Sequence, residues 1–273
     1  MKKQFNVLAF VVFVAMILGI GGSASAQFLH QKKYPKPVYT QYSWIGTLDS
    51  TMPVTVWLER NDDNLLAGEI VYTASQTKSP IKLLGRVIID TINGTEEFRV
   101  SEYLGRHSEK TGTMSFMLDS AGKGNGYWRN IDTTHILALG EITAFPQGKG
   151  GMLDPVNYTN IGIKPLYYSY YYYHPYKGRL GGEATIVMKE HRYIKFNVTI
   201  TDPNIAEGDN YMDYNHANLK ENKFLYIMRG CGYTFECHIF RDFIFLKSLT
   251  DRPTDCFGVG SSFDGFLVKR QDK

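Results

Sequence analysis

The chain has 273 residues, 43% of them hydrophobic and 14% aromatic, with 19 tyrosines and 16 phenylalanines. Its formal charge of +3 falls to +1 once Lys2 and Lys3 of an N-terminal leader are set aside, which gives no electrostatic case for nucleic acid or an anionic membrane as partner. The apolar content is ample for a core, and after the leader no segment is apolar enough to cross a bilayer.

The first 26 residues read as a signal peptide. Lys2 and Lys3 form its basic region, Leu8 to Ile20 its apolar region, and Ala24-Ser25-Ala26 its cleavage site. A membrane anchor is the other reading, but the run is short for a span of about 20 residues. Cleavage before Gln27 would send the mature chain to the periplasm, the cell surface or the medium. No Cys follows the cut, so a lipid cannot be attached there. Residues 27–41 are polar and broken by Pro35 and Pro37, as an extended arm would be.

Residues 42–145 predict an antiparallel β-meander. Short alternating runs carry Val54-Val56-Leu58, Gly68-Ile70-Tyr72, Phe98-Val100 and Met114-Phe116-Leu118. Asn61-Asp62-Asp63-Asn64, Ser79-Pro80 and Asn93-Gly94 fall between them as turns. Roughly eight strands result, the number at which an up-and-down barrel closes. Trp44 and Trp128 are expected to be buried, with Trp57 on the opposite face from Val56 and Leu58. Residues 146–176 predict a Pro/Gly-rich and then Tyr-rich linker, ending in Tyr167-Tyr168-Ser169-Tyr170-Tyr171-Tyr172-Tyr173-His174-Pro175-Tyr176.

Residues 177–273 predict a second β-domain. Ile194, Phe196, Val198 and Ile200 give the cleanest alternation in the chain. A polar insertion from Glu207 to Asn222 reads as a loop, with hard oxygen donors at Asp209 and Asp213 but without the glycine and final glutamate of an EF-hand. The predicted fold is therefore all-β: two antiparallel barrel-like or strongly curved meander domains behind a cleaved signal peptide.

Trp44-Ile45-Gly46, Leu66-Ala67-Gly68-Glu69-Ile70-Val71-Tyr72, Ile81-Lys82-Leu83-Leu84-Gly85, Val100-Ser101-Glu102-Tyr103, Thr111-Gly112 and Gly126-Tyr127-Trp128 resemble a type of exported bacterial β-domain of unknown role. Cys256-Phe257-Gly258-Val259-Gly260 with Asp264-Gly265-Phe266 resembles the end of disulfide-closed periplasmic β-barrels, some of them similar to lysozyme inhibitors. The inhibitors' recognition motifs are not legible here, so no inhibitory residue is carried over.

No catalytic motif is legible. There is no Gly-x-Ser-x-Gly elbow, no His-Glu-x-x-His and no phosphate loop, and the seven histidines are not paired at metal-ligand spacing. No catalytic residue, metal ligand or cofactor is predicted. Cys237 and Cys256 are the expected disulfide, with Cys231 left as a thiol. Asp49-Ser50-Thr51, Asp90-Thr91-Ile92, Asp119-Ser120-Ala121 and Asp132-Thr133-Thr134 resemble a bacterial O-glycosylation signal, though Asp-Ser and Asp-Thr are also ordinary turn chemistry.

The tyrosine run carries the functional expectation. As a linker or edge strand its rings would pack on both domains; as a ligand surface they would stack on a sugar or protein. Lys177 or Arg179 could stack on one of the rings. Strand neighbours alternate faces, so one parity should stay exposed. The predicted ligand-binding residues are Tyr168, Tyr170, Tyr172, Tyr173 and Tyr176. The expected function is a non-catalytic binding module for an envelope glycan or protein partner. A hydrolase acting on envelope glycan or peptide, and a structural envelope component, are the alternatives.

Overall fold

Period-two alternation builds the first eight strands in chain order. They are β1 (Thr40–Leu48), β2 (Met52–Arg60), β3 (Leu65–Tyr72), β4 (Ile81–Asp90), β5 (Thr95–Leu104), β6 (Glu109–Leu118), β7 (Lys123–Asn130) and β8 (Ile136–Phe145). The computed structural model describes residues 39–270 apart from 106–107, 119–122, 133, 146–150, 157–164, 177, 190–192, 202–209, 229 and 251–263. The predicted leader, most of the predicted arm and Cys256 lie outside the described residues.

Each of these strands pairs antiparallel with the next, and β8 returns to β1, so the eight close into a barrel. Closure removes the sheet edges that would otherwise invite pairing with another chain. Val54, Val56, Leu58, Ile70, Val100 and Met114 fill the interior, and Phe98 stacks on Phe116 with centroids 5.1 Å apart. Gly85 is required on β4, because a Cβ there would lie 2.0 Å from the Arg99 carbonyl oxygen of β5. The aspartates of two resembling triplets organise turns: Asp90 accepts the N–H of Ile92 and of Asn93, and Asp132 that of Thr134. Trp128 packs half-buried against the interior. The Trp44 side chain lies outside the described residues.

The second set comprises β9 (Leu166–His174), β10 (Gly178–Met188), β11 (Tyr193–Thr201), β12 (Asn210–Asn218), β13 (Lys223–Ile227), β14 (Thr234–Ile239), β15 (Phe243–Ser248) and β16 (Gly265–Lys269). These pair in the order β12-β11-β10-β9-β16-β15-β14-β13, antiparallel throughout. The sheet curves around Tyr168, Ile186, Phe196, Phe224, Phe235 and Leu267. The fold is thus all-β, with no helix among the described residues.

Three expectations are corrected. The tyrosine run is neither linker nor edge strand; it is β9, hydrogen-bonded between β10 and β16. Tyrosine favours strands because its ring packs on a pleated surface, so a run of them extends the sheet rather than linking two. The polar insertion also holds a strand, β12, which among the described residues pairs only with β11. An edge strand tolerates a polar composition that a central strand would not. Finally, Cys237 is a free thiol sealed in the second core, so it does not pair with Cys256.

The closed first barrel and the second set, an open barrel whose end strands β12 and β13 are not paired with each other among the described residues, share a seam. Leu65, Leu84 and Tyr103 of the first barrel meet Phe243, Phe245 and Phe266 of the second. Strands β3, β15 and β16 are therefore buried on both faces, one turned to a barrel interior and one to the seam. Glu59, fully buried on β2, accepts the N–H groups of Gly151 and Met152 at 2.8 Å and that of Leu153 at 3.2 Å. Tyr39 donates its hydroxyl to the Leu153 carbonyl, closing the other side of that segment. A single parallel contact, Glu109 opposite Tyr171, joins β6 to β9 and makes the sheet continuous. Residues 38–273 consequently form one compact unit.

Candidate functional site

Strand register decides which side chains meet outside the first barrel. Leu84, Ser101, Thr113 and Arg129 stand opposite one another across β4, β5, β6 and β7. Arg86 stands opposite Arg99 on the same face, and Tyr103 opposite Lys110. Phe98, Val100 and Met114, at the intervening positions, point into the barrel, so this row points out. The second barrel faces the row with Tyr170 and Tyr172 of β9 and Phe266 of β16. Between them lies a cleft of about 570 Å³.

The cleft is cationic. Arg86, Arg99, Lys110 and Arg129 line it, with Asp264 as the one carboxylate among the described residues of its wall. Asp264 accepts the Ser248 N–H. Arg99 is held 2.8 Å from Glu97, which also accepts the Ser115 hydroxyl. Among the described residues, no carboxylate lies within ion-pair distance of Arg86, Lys110 or Arg129. Like charges opposed across a strand pair, as Arg86 and Arg99 are, cost stability rather than add to it. Lys110 carries the same tension: burial, then the nearby Arg129, holds its ammonium below the usual lysine range. Tyr103 is the opposite case, its hydroxyl pushed up by burial and by the adjacent Tyr170.

The predicted tyrosines are divided among three environments. Tyr168 is core, only 1% exposed, so its ring does not face solvent. Tyr170 and Tyr172 reach the cleft, Tyr170 packing against the second core and the seam as it does so. Tyr173 and Tyr176 stand in solvent at 61% and 94% exposure, on and just after the end of β9. The exposed parity is the odd one: Tyr167 is 40% exposed, and Tyr171 stacks edge-on to Tyr173. Arg179 caps the Tyr171 ring at 4.4 Å, the predicted cation–π contact, and Tyr171 donates its hydroxyl to Glu109.

A histidine and carboxylates do converge elsewhere. His238 contacts Glu236, and its Nδ1 lies 3.7 Å from Asp63, which also pairs with Lys223 at 3.1 Å. This cluster ties the β2–β3 turn to the second barrel. The His238 side chain is only 3% exposed, and burial followed by the Lys223 charge disfavours its protonated form. It is a seam contact in which the imidazole is buried while Asp63 and Lys223 stay partly exposed.

The four cleft cations escaped the sequence reading because they are scattered over 44 positions, Arg86 to Arg129. The signal existed: each sits at an outward position of consecutive strands, and register brings them together. No family model, curated protein or solved structure matches this chain.

Proposed function

We propose that this protein is an exported binding module that holds an envelope glycan in the cleft between its two barrels. Export rests on the leader, Lys2 to Ala26, whose residues lie outside the described ones. Binding rests on one observation: Tyr170 and Tyr172 enter the same cleft as Ser101, Thr113 and Thr201. A sugar ring needs a flat apolar surface on one face and hydrogen-bonding groups at its rim, and this lining supplies both. The volume lies within the range of small-ligand pockets, about 300–1,000 Å³.

A second reading, a protein partner, is favoured by Tyr173 and Tyr176. Exposed aromatic rings at a strand end are suited to burial against another chain. The experiment separates the two. Mature protein is incubated with insoluble envelope polysaccharide and with envelope proteins, alongside Tyr172→Ser and the double variant Tyr173→Ser, Tyr176→Ser. Loss of polysaccharide retention in Tyr172→Ser alone supports the cleft. Loss of a protein partner in the double variant alone supports the surface rings. Retention unchanged in both variants overturns both sites.

A further inference from the structure

From the cleft's lining we infer that its glycan is acidic, bearing carboxylate or phosphate groups that sit against Arg86, Lys110 and Arg129. This inference rests on the binding-module reading and names the ligand class for the same site. Three lines of geometry carry it. First, four cations face one cleft on a chain whose mature formal charge is only +1, so the positive charge is gathered rather than general. Second, the Arg86–Arg99 and Lys110–Arg129 neighbourhoods set like charges against each other, and among the described residues only Arg99 has its own carboxylate partner, Glu97. A bound anion relieves both repulsions at once. Third, guanidinium groups present planar forks that match carboxylate and phosphate oxygens in pairs, which a neutral sugar hydroxyl cannot exploit.

The carboxylates facing the same region are accounted for. Asp264 holds a backbone N–H, Glu97 is shared by Arg99 and Ser115 and also feels Arg129, and Glu109 takes the Tyr171 hydroxyl. Tyr172 lines the same cleft, so a sugar ring held against the cations would also lie near an aromatic side chain, which a free inorganic ion would not use. A short segment of an anionic polysaccharide fits this combination.

The test is isothermal titration of the intact mature chain with four probes. These are a trimeric uronic acid, the same trimer with its carboxyl groups reduced to alcohols, a hexose phosphate, and a short single-stranded oligonucleotide. Wild type should bind the uronate or the sugar phosphate at least tenfold more tightly than the reduced trimer, and that margin should shrink as salt is raised. Arg86→Gln with Arg129→Gln should remove about tenfold or more of the affinity for the acidic sugar and leave the reduced trimer unchanged. Arg86→Gln alone, at an exposed position, serves as the second variant if the double variant melts early. The uronate and phosphate arms show which group carries the charge. Equal binding of acidic and reduced trimers overturns the acidic assignment while leaving the glycan module standing. Failure of every sugar to bind overturns both, and an oligonucleotide bound more tightly than any sugar overturns the glycan class.

Discussion

Replacing Glu59 tests how the two barrels are held together. Its carboxyl group receives three backbone N–H bonds from residues 151–153 and is fully buried. Glu59→Ala leaves the chain two options. It can keep the segment in place with three donors unpaired, one buried and two part-buried, at up to about 1–3 kcal/mol each. Alternatively, the segment can peel into solvent, forfeiting the burial of Leu153, which is 1% exposed, at about 1.5–3 kcal/mol. Peeling also breaks the Tyr39 bond to the Leu153 carbonyl, worth about 1 kcal/mol. The cheaper route governs, so the expected loss is about 2–4 kcal/mol. Urea unfolding gives the loss, and amide exchange at Met152 and Leu153 tells which route is taken. Glu59→Gln keeps one carbonyl oxygen as acceptor and should lose less. A change below about 0.5 kcal/mol with amide protection intact would refute the anchoring role.

Other outcomes follow from the packing of single side chains. Tyr168→Ala should cost about 3–5 kcal/mol, as removal of a core ring does, whereas Tyr173→Ser should stay within about 0.5 kcal/mol. Thermal melts of the pair check this, and equal melting points would contradict the alternation of β9. Glu102 lies inside the first barrel, 2% exposed, accepting the hydroxyls of Tyr72 at 2.6 Å and Thr111 at 3.1 Å. Burial raises its carboxyl group above the usual range despite those bonds, so the unfolded chain releases this proton first as pH rises. From about pH 4.3, the unfolded value, up to the raised folded value, that group contributes a growing stability loss. Glu102→Gln should therefore gain on wild type as pH rises through that window in urea unfolding, and a reversed trend would refute the assignment. Native alkylation should spare Cys237, whose thiol is buried and pushed well above its usual range, until the protein unfolds. Any intrachain disulfide then joins Cys231 to Cys256, and non-reducing peptide mapping that returns Cys237 linked to Cys256 would contradict this.

Much of the architecture was legible because one barrel face is wet. Val54, Val56 and Leu58 alternate cleanly, and Ile194 to Ile200 do the same. The seam was harder to read. Where both faces are buried, alternation disappears into runs such as Phe243-Ile244-Phe245-Leu246 and Phe266-Leu267-Val268. Those runs identify the seam only once the strands are placed. The tyrosines misled for a related reason. Their spacing foretold two faces, but whether Tyr168 or Tyr173 faced solvent depended on β16 and β10 flanking β9, and no local pattern encodes that pairing. The cleft was the least legible part, since Arg86, Arg99, Lys110 and Arg129 become neighbours only through register.

The central claim, that a glycan lies between the barrels against Tyr170 and Tyr172, is tested most directly by the tyrosine ring signals in NMR. Mature protein with labelled tyrosines is titrated with oligosaccharides released from envelope polysaccharide. Ring resonances of Tyr170 and Tyr172 should move in proportion to occupancy, Tyr103 should follow at the cleft wall, and the core rings Tyr168 and Tyr233 should stay still. Shifts confined to Tyr173 and Tyr176, or no shift at saturating sugar, would contradict the account.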